Sequence, residues 1–224
     1  MTPLILPGLN GSGHAHWQTW LGKQLATSTR VEQPDWAVAD LDRWAAVLRT
    51  DVLTGRGDAL IIAHSFGCLA AIDVVQSGCP HVGAALLVAP ADPSRFEIPD
   101  ARLAKRLAIP AILVASRNDP WMSFERATFW SRQLGCWLFD AGCSGHINVA
   151  SGHGPWPDAL DLVAALARPS RSDGQRRPTD RAHGHAHFAS LGISNPENDG
   201  WGRRRPVLLP HDNELVRSDR ENTN

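Results

Sequence analysis

The stretch Leu60-Ile61-Ile62-Ala63-His64-Ser65-Phe66-Gly67-Cys68-Leu69-Ala70-Ala71 joins three unlike pieces: an apolar run, a serine between small residues, and an apolar helical pattern. The apolar run suits a strand covered on both faces. The segment after Gly67 opens a helix, so Ser65 falls on a strand-turn-helix junction. That is the setting of a nucleophile elbow, usually written G-x-S-x-G. Small residues two before and two after the serine let strand and helix approach closely. Here Ala63 takes the place of the first glycine, and Gly67 is the second. The turn lifts the hydroxyl above the sheet and points a helix N-terminus at it, where backbone N–H groups can stabilise an oxyanion. The plainer reading is a serine that caps an ordinary helix.

Outward from this junction, short apolar runs alternate with helical patterns. Residues 4–6, 30–33, 59–63, 84–89, 111–115 and 137–139 read as strands. Trp17, Trp20, Leu21 and Leu25 mark one helical face, and Leu41, Trp44, Leu48 and Val52 another, with Asp40 as N-cap. Residues 66–76, 124–134 and 158–167 complete the helices. An alternation with crossovers this long implies an α/β fold: a mostly parallel sheet of about six strands, helices on both faces, and no large cap domain. Catalytic groups in such a sheet gather at the carboxyl ends of its strands.

Composition divides the 224 residues near position 168. Residues 1–168 form the expected domain and hold eight of the nine tryptophans. Residues 169–224 are Arg- and Pro-rich and lack sustained periodicity, so they are expected to be disordered, either as an interaction arm or, more plainly, as read-through from an incorrect frame. The net charge of −1 gives no electrostatic reason to expect nucleic acid or an anionic membrane as partner. The apolar start is broken by Pro7 and Gly8 and carries no basic region, and no apolar run approaches membrane-spanning length, so a cytoplasmic location is expected. Cys68, Cys79, Cys136 and Cys143 form no C-x-x-C pair and are expected to be reduced, with Cys143 closest to the candidate base. His183, His185 and His187 have no partner ligand set. No metal and no cofactor are expected.

A serine hydroxyl needs a base, and the base needs an orienting acid. His146 lies in Gly142-Cys-Ser-Gly-His-Ile-Asn after the last strand, and Asp119 in Ser116-Arg-Asn-Asp-Pro after the strand at 111–115. Ser65, Asp119 and His146 follow the chain order of the α/β-hydrolase fold. Asp92 competes as the acid, while Asp140 lies too near the last strand to be preferred. The glycine-rich segment 6–13 follows the first strand, so the backbone N–H groups of Leu9 and Phe66 are candidates for an oxyanion hole. It lacks both G-x-G-x-x-G spacing and a following lysine, which argues against a phosphate loop. His16, Trp17, Trp36, Trp121 and Trp156 are candidates for lining the pocket, with packing or capping as their plainer roles.

With these segments placed, the chain resembles the YdeN-like small serine hydrolases, relatives of the retinoblastoma-binding serine hydrolase. The resemblance is carried by Pro7-Gly-Leu-Asn-Gly-Ser, His16-Trp-Gln, Gln33-Pro-Asp-Trp with Trp44, His64-Ser-Phe-Gly, Ser116-Arg-Asn-Asp-Pro, Gly145-His-Ile-Asn and Ser151-Gly-His-Gly-Pro-Trp-Pro. It spans about residues 3–167 and none of the tail. It implies a compact α/β hydrolase without a lid, with Ser65 as nucleophile, Asp119 rather than Asp92 as acid, and His146 as base. The expected activity is cleavage of a small-molecule ester or amide through an acyl-enzyme. The alternatives are acyl transfer, or a partner-binding role on the same scaffold with little turnover and an unknown protein partner.

Overall fold

The strand residues divide their side chains by parity between two apolar layers. In β3 (Ala59–His64), Ala59, Ile61 and Ala63 face one layer while Leu60 and Ile62 face the other. The same alternation runs through β4 (Val82–Val88) and β5 (Ala111–Ala115). A strand covered on both faces reads as a nearly continuous apolar run, and all six residues of β3 are buried, the first five of them apolar and His64 at its end. The structure, a computed structural model, describes residues 1–55, 57–167 and 192–194.

On one side lie α2 (Leu41–Thr54), α3 (Phe66–Gln76) and α5 (Phe124–Leu134), packed through Trp44, Leu48, Val52, Leu69, Trp130 and Leu134. On the other lie α1 (Trp17–Gln24) and α6 (Asp158–Ala167), packed through Trp17, Leu21, Leu162 and Leu166. Burial of each such large apolar side chain contributes about 1.5–3 kcal/mol before entropy is counted. Asp40 caps α2 by accepting from Arg43 N–H, and Ser123 caps α5 by accepting from Arg126 N–H.

With β1 (Thr2–Leu6), β2 (Thr29–Arg30), β6 (Trp137–Asp140) and β7 (Ile193–Ser194), the sheet runs β2-β1-β3-β4-β5-β6-β7. All neighbours are parallel except β6 and β7. From β1 the chain steps outward to β2, and from β3 it steps the opposite way to β4. The crevice between the carboxyl ends of β1 and β3 is therefore a topological switch point, where such sheets bind ligands.

Three differences from the sequence expectations have local causes. β2 spans only residues 29–30, because it is an edge strand paired to β1 alone and Pro34 follows. α4 (Asp100–Leu103) and the 3-10 turn Pro93–Phe96 fill the β4–β5 connection, too short to show a helical period. Most of the expected 169–224 tail lies outside the described residues. Within it, however, Ile193 is buried and β7 pairs antiparallel with β6, so one apolar residue from the tail covers that sheet edge where no element was expected. No helix among the described residues is long and apolar enough to cross a membrane.

Candidate active site

The elbow begins as a packing problem. At Gly67 a Cβ would stand 2.4 Å from Pro7 O and 2.9 Å from Leu6 O, and at Gly8 it would stand 2.7 Å from Ser65 Cβ. The first turn of α3 thus rests directly on the chain leaving β1, and neither position has room for a side chain. Squeezed between them, Ser65 adopts φ 52° and ψ −124°, a conformation costly for a residue with a Cβ. The strain is held by β3 on one side and α3 on the other. It leaves Ser65, only 9% exposed as a residue, lining a cleft.

His146 and Asp119 meet it there. The Ser65 hydroxyl lies 2.8 Å from His146 Nε2, and His146 Nδ1 lies 2.9 and 3.0 Å from the two oxygens of Asp119. A carboxylate only accepts, so Nδ1 carries the proton and Nε2 accepts from the serine. The Asp119 side chain is 3% exposed and accepts a further bond from Trp121 N–H at 2.8 Å. The loops carrying acid and base are tied together: Ser116 Oγ accepts from Ser144 N–H, and Asn118 Oδ1 accepts from Gly145 N–H at 2.7 Å.

The competing acids are engaged elsewhere. Asp92 pairs with Arg126 at 3.0 Å and caps the turn at Ser94. Burial works against its ionisation, yet the bonds from Arg126 and Ser94 hold its carboxyl below the usual range. Asp140 is held low chiefly by its hydrogen bond from Arg117.

Two more histidines surround the base. His64, buried at the end of β3, donates Nε2–H to His146 O at 2.9 Å and so pins the backbone of the base. Burial, with the nearby His146 and His16, keeps its pKa well below the ordinary value, so it is neutral. His16 caps α1 through Nδ1, which accepts from Gln18 N–H. Burial first, and then the charge of Arg30, lowers its pKa to about 4. The pinning role of His64 acts over a span of 82 residues and leaves no local signal in the sequence.

The cleft over Ser65 has a volume of about 320 Å³. Of the candidate lining residues, His16 and Trp121 face it, as does Leu9, the candidate oxyanion donor. Trp17 and Trp156 do not: they pack edge to face at 5.2 Å in the core, because the buried stripe of α1 carries Trp17 toward the sheet and Trp156, in the turn leading into α6, packs against it. Trp36 packs on Trp44 at 5.6 Å, outside the cleft. Asn10, Asn148, Val149 and Ala150 also line it; Asn10 lies in the loop after β1 and the other three in the short 3-10 turn Val149–Ser151 and its cap, none with a periodicity to single it out. The Gly8–Gly11 turn leaves Leu9 N–H without an acceptor among the described residues, and Phe66 N–H, at the first helical position, has none within its helix. Cys143 is exposed and does not line the cleft; Cys68 and Cys136 are buried thiols, the latter pushed up to about 12 by burial. A larger groove of about 520 Å³ lies at the opposite ends of β1–β3, but no serine, cysteine, histidine or lysine is among its described lining residues.

No curated protein matches this chain. Among solved structures, a YdeN-like hydrolase from Pectobacterium atrosepticum is 41% identical, over 74% of this chain and 89% of its own, with a TM-score of 0.71. The ydeN gene product of B. subtilis is 19% identical, over 74% and 97%, with a TM-score of 0.63. Est1E from Butyrivibrio proteoclasticus, solved with ferulic acid bound, is 15% identical, over 74% and 86%, with a TM-score of 0.57. The last two share the fold alone, which is the α/β-hydrolase fold without a large cap among the described residues. The model of the serine hydrolase family matches residues 3–165, the span that holds the elbow, Asp119 and His146. A chain matched over that whole domain, with a strained serine bonded to a histidine at its switch point, belongs to the serine hydrolase family.

Proposed function

We propose that this hydrolase cleaves a small, uncharged carboxylic ester through an acyl-enzyme on Ser65. The observation that carries the reading is the unbroken series from Ser65 Oγ through His146 to Asp119, each link 3.0 Å or shorter. In the first half-reaction Ser65 Oγ attacks the carbonyl carbon as His146 Nε2 takes its proton. Asp119 holds the ring in the required tautomer and stabilises the imidazolium. The carbonyl oxygen, now an oxyanion, is met by the N–H groups of Leu9 and Phe66. The C–O bond to the leaving alcohol then breaks, and the alcohol departs with the proton from His146. In the second half-reaction water repeats the sequence, releasing the acid and restoring Ser65.

The cleft argues for the substrate class. Its described lining has no lysine, arginine, aspartate or glutamate, and His16 and His64 are held neutral, so a charged acyl group finds no partner there. Its volume suits a small ligand. A purely binding role has no use for a serine held at φ 52° against a histidine. The test is labelling by a fluorophosphonate probe, with turnover of p-nitrophenyl acetate against the hemisuccinate. Wild type labels and Ser65→Ala does not, and the neutral ester is the better substrate by about tenfold or more. Folded wild type that fails to label overturns the activated serine, and equal turnover of the two esters overturns the substrate class.

A further inference from the structure

Gln18 is a fully buried polar side chain with no part in the series above. It is the second residue of α1, and every hydrogen-bonding group of its amide is engaged. Nε2 donates to Leu6 O and to Ile62 O, both at 3.1 Å, and Oε1 accepts from Ser12 Oγ–H at 2.6 Å. The two carbonyls belong to different strands. Leu6 ends β1, and Ile62 lies near the end of β3, the strands that flank the switch point. Ser12 belongs to the loop after β1, and its own carbonyl accepts from Thr19 Oγ1 at 3.0 Å and from Arg30 Nη1 at 2.8 Å.

The two candidate oxyanion donors come from the two sides of this seam: Leu9 N–H follows β1 and Phe66 N–H follows β3. An oxyanion hole made of two donors works only at the right separation, because a displacement of about 1 Å can cost about a hundredfold in rate. On one side of the seam that separation is set by hard contact, Gly8 against Ser65 and Gly67 against Pro7. On the other side, among the described residues, the single group that bonds to both strand ends and to the loop is the Gln18 amide. We infer that Gln18 is a positioning residue which fixes the distance between the Leu9 and Phe66 N–H groups and so tunes the oxyanion hole. The inference rests on the serine-hydrolase mechanism proposed above.

The decisive variant is Gln18→Met, which keeps the length and loses all three bonds. Its kcat on p-nitrophenyl acetate, per folded molecule by circular dichroism, should fall about 10–100-fold with KM within about threefold. The inhibition constant for a phenylboronic acid, whose tetrahedral adduct places an oxygen in the hole, should rise by the same factor. The pH profile of kcat should keep its inflection, since His146 and Asp119 are untouched. Ser12→Ala, which frees only the loop side, should show the same pattern at about 3–10-fold and decides the matter if Gln18→Met does not fold. A lowered melting temperature with kcat and inhibition constant unchanged means a structural role only and overturns the inference. Failure of the underlying mechanism reads differently: wild type itself would neither turn over the ester nor label at Ser65.

Discussion

Lowering the pH should unfold this protein through two histidines that do not take part in proton transfer. His16 and His64 are 5% exposed each and neutral when folded, and both protonate freely once the chain unfolds. Below the ordinary value of 6.5 the unfolded state therefore binds more protons, and stability falls as pH falls. For His16 the loss runs from 6.5 down to about 4, beneath which both states are protonated. At about pH 5 the proton it takes up on unfolding amounts to about 2 kcal/mol. His64 is also held well below the ordinary value, chiefly by burial, so its contribution falls in the same direction as pH falls. A charge on His16 would also sit at the N-terminus of α1, where the helix dipole disfavours it, and Nδ1 could no longer accept from Gln18 N–H. The assay is urea unfolding at about pH 7.5 and about pH 5 for wild type, His16→Asn and His64→Gln. Asparagine keeps an acceptor for the cap, and glutamine keeps a donor toward His146 O. His16→Asn should lose about 2 kcal/mol less than wild type between the two conditions, and His64→Gln should also lose less than wild type. If wild type and His16→Asn lose the same amount, His16 is not held neutral and the reasoning fails.

Asp119→Asn should lower kcat by about a thousandfold or more while the protein stays folded, since the amide cannot enforce the tautomer of His146. Asp92→Asn should instead cost about 1–2 kcal/mol through its partly buried bond to Arg126 and leave kcat per folded molecule within about threefold. Kinetics and thermal melts on the same two preparations separate them. Gly67→Ala forces a Cβ to within 2.4 Å of Pro7 O. It should destabilise by about 1–3 kcal/mol and slow fluorophosphonate labelling, because α3 must lift away from β1 and carry Phe66 N–H with it. Unchanged labelling kinetics would mean that the elbow is looser than its packing indicates.

Some elements were legible in the sequence because their information is local. α3, α5 and α6 start and end where periodicity and breakers put them, and β3 and β5 show as apolar runs because both faces are covered. β2 and β7 were not legible in the same way: two-residue edge strands exist by virtue of the neighbour they pair with. The tryptophans misled for a related reason. Composition shows that Trp17, Trp36 and Trp156 are large and amphipathic, but only the helix and loop orientations decide that they pack among themselves rather than face the cleft.

What the sequence determined by itself was the junction at Ser65. An apolar strand, small residues at 63 and 67 and a following helix leave few other conformations for that serine, since the constraint acts between near neighbours in the chain. What only the tertiary structure decided was which groups meet it. Asp92 and Asp119 both follow sheet strands and are chemically alike, yet Arg126 of α5 occupies the first and His146 the second. His64 and Gln18 reach carbonyls 82 and 44 residues away. Contacts of that span depend on how crossovers order the strands, and no local pattern encodes them.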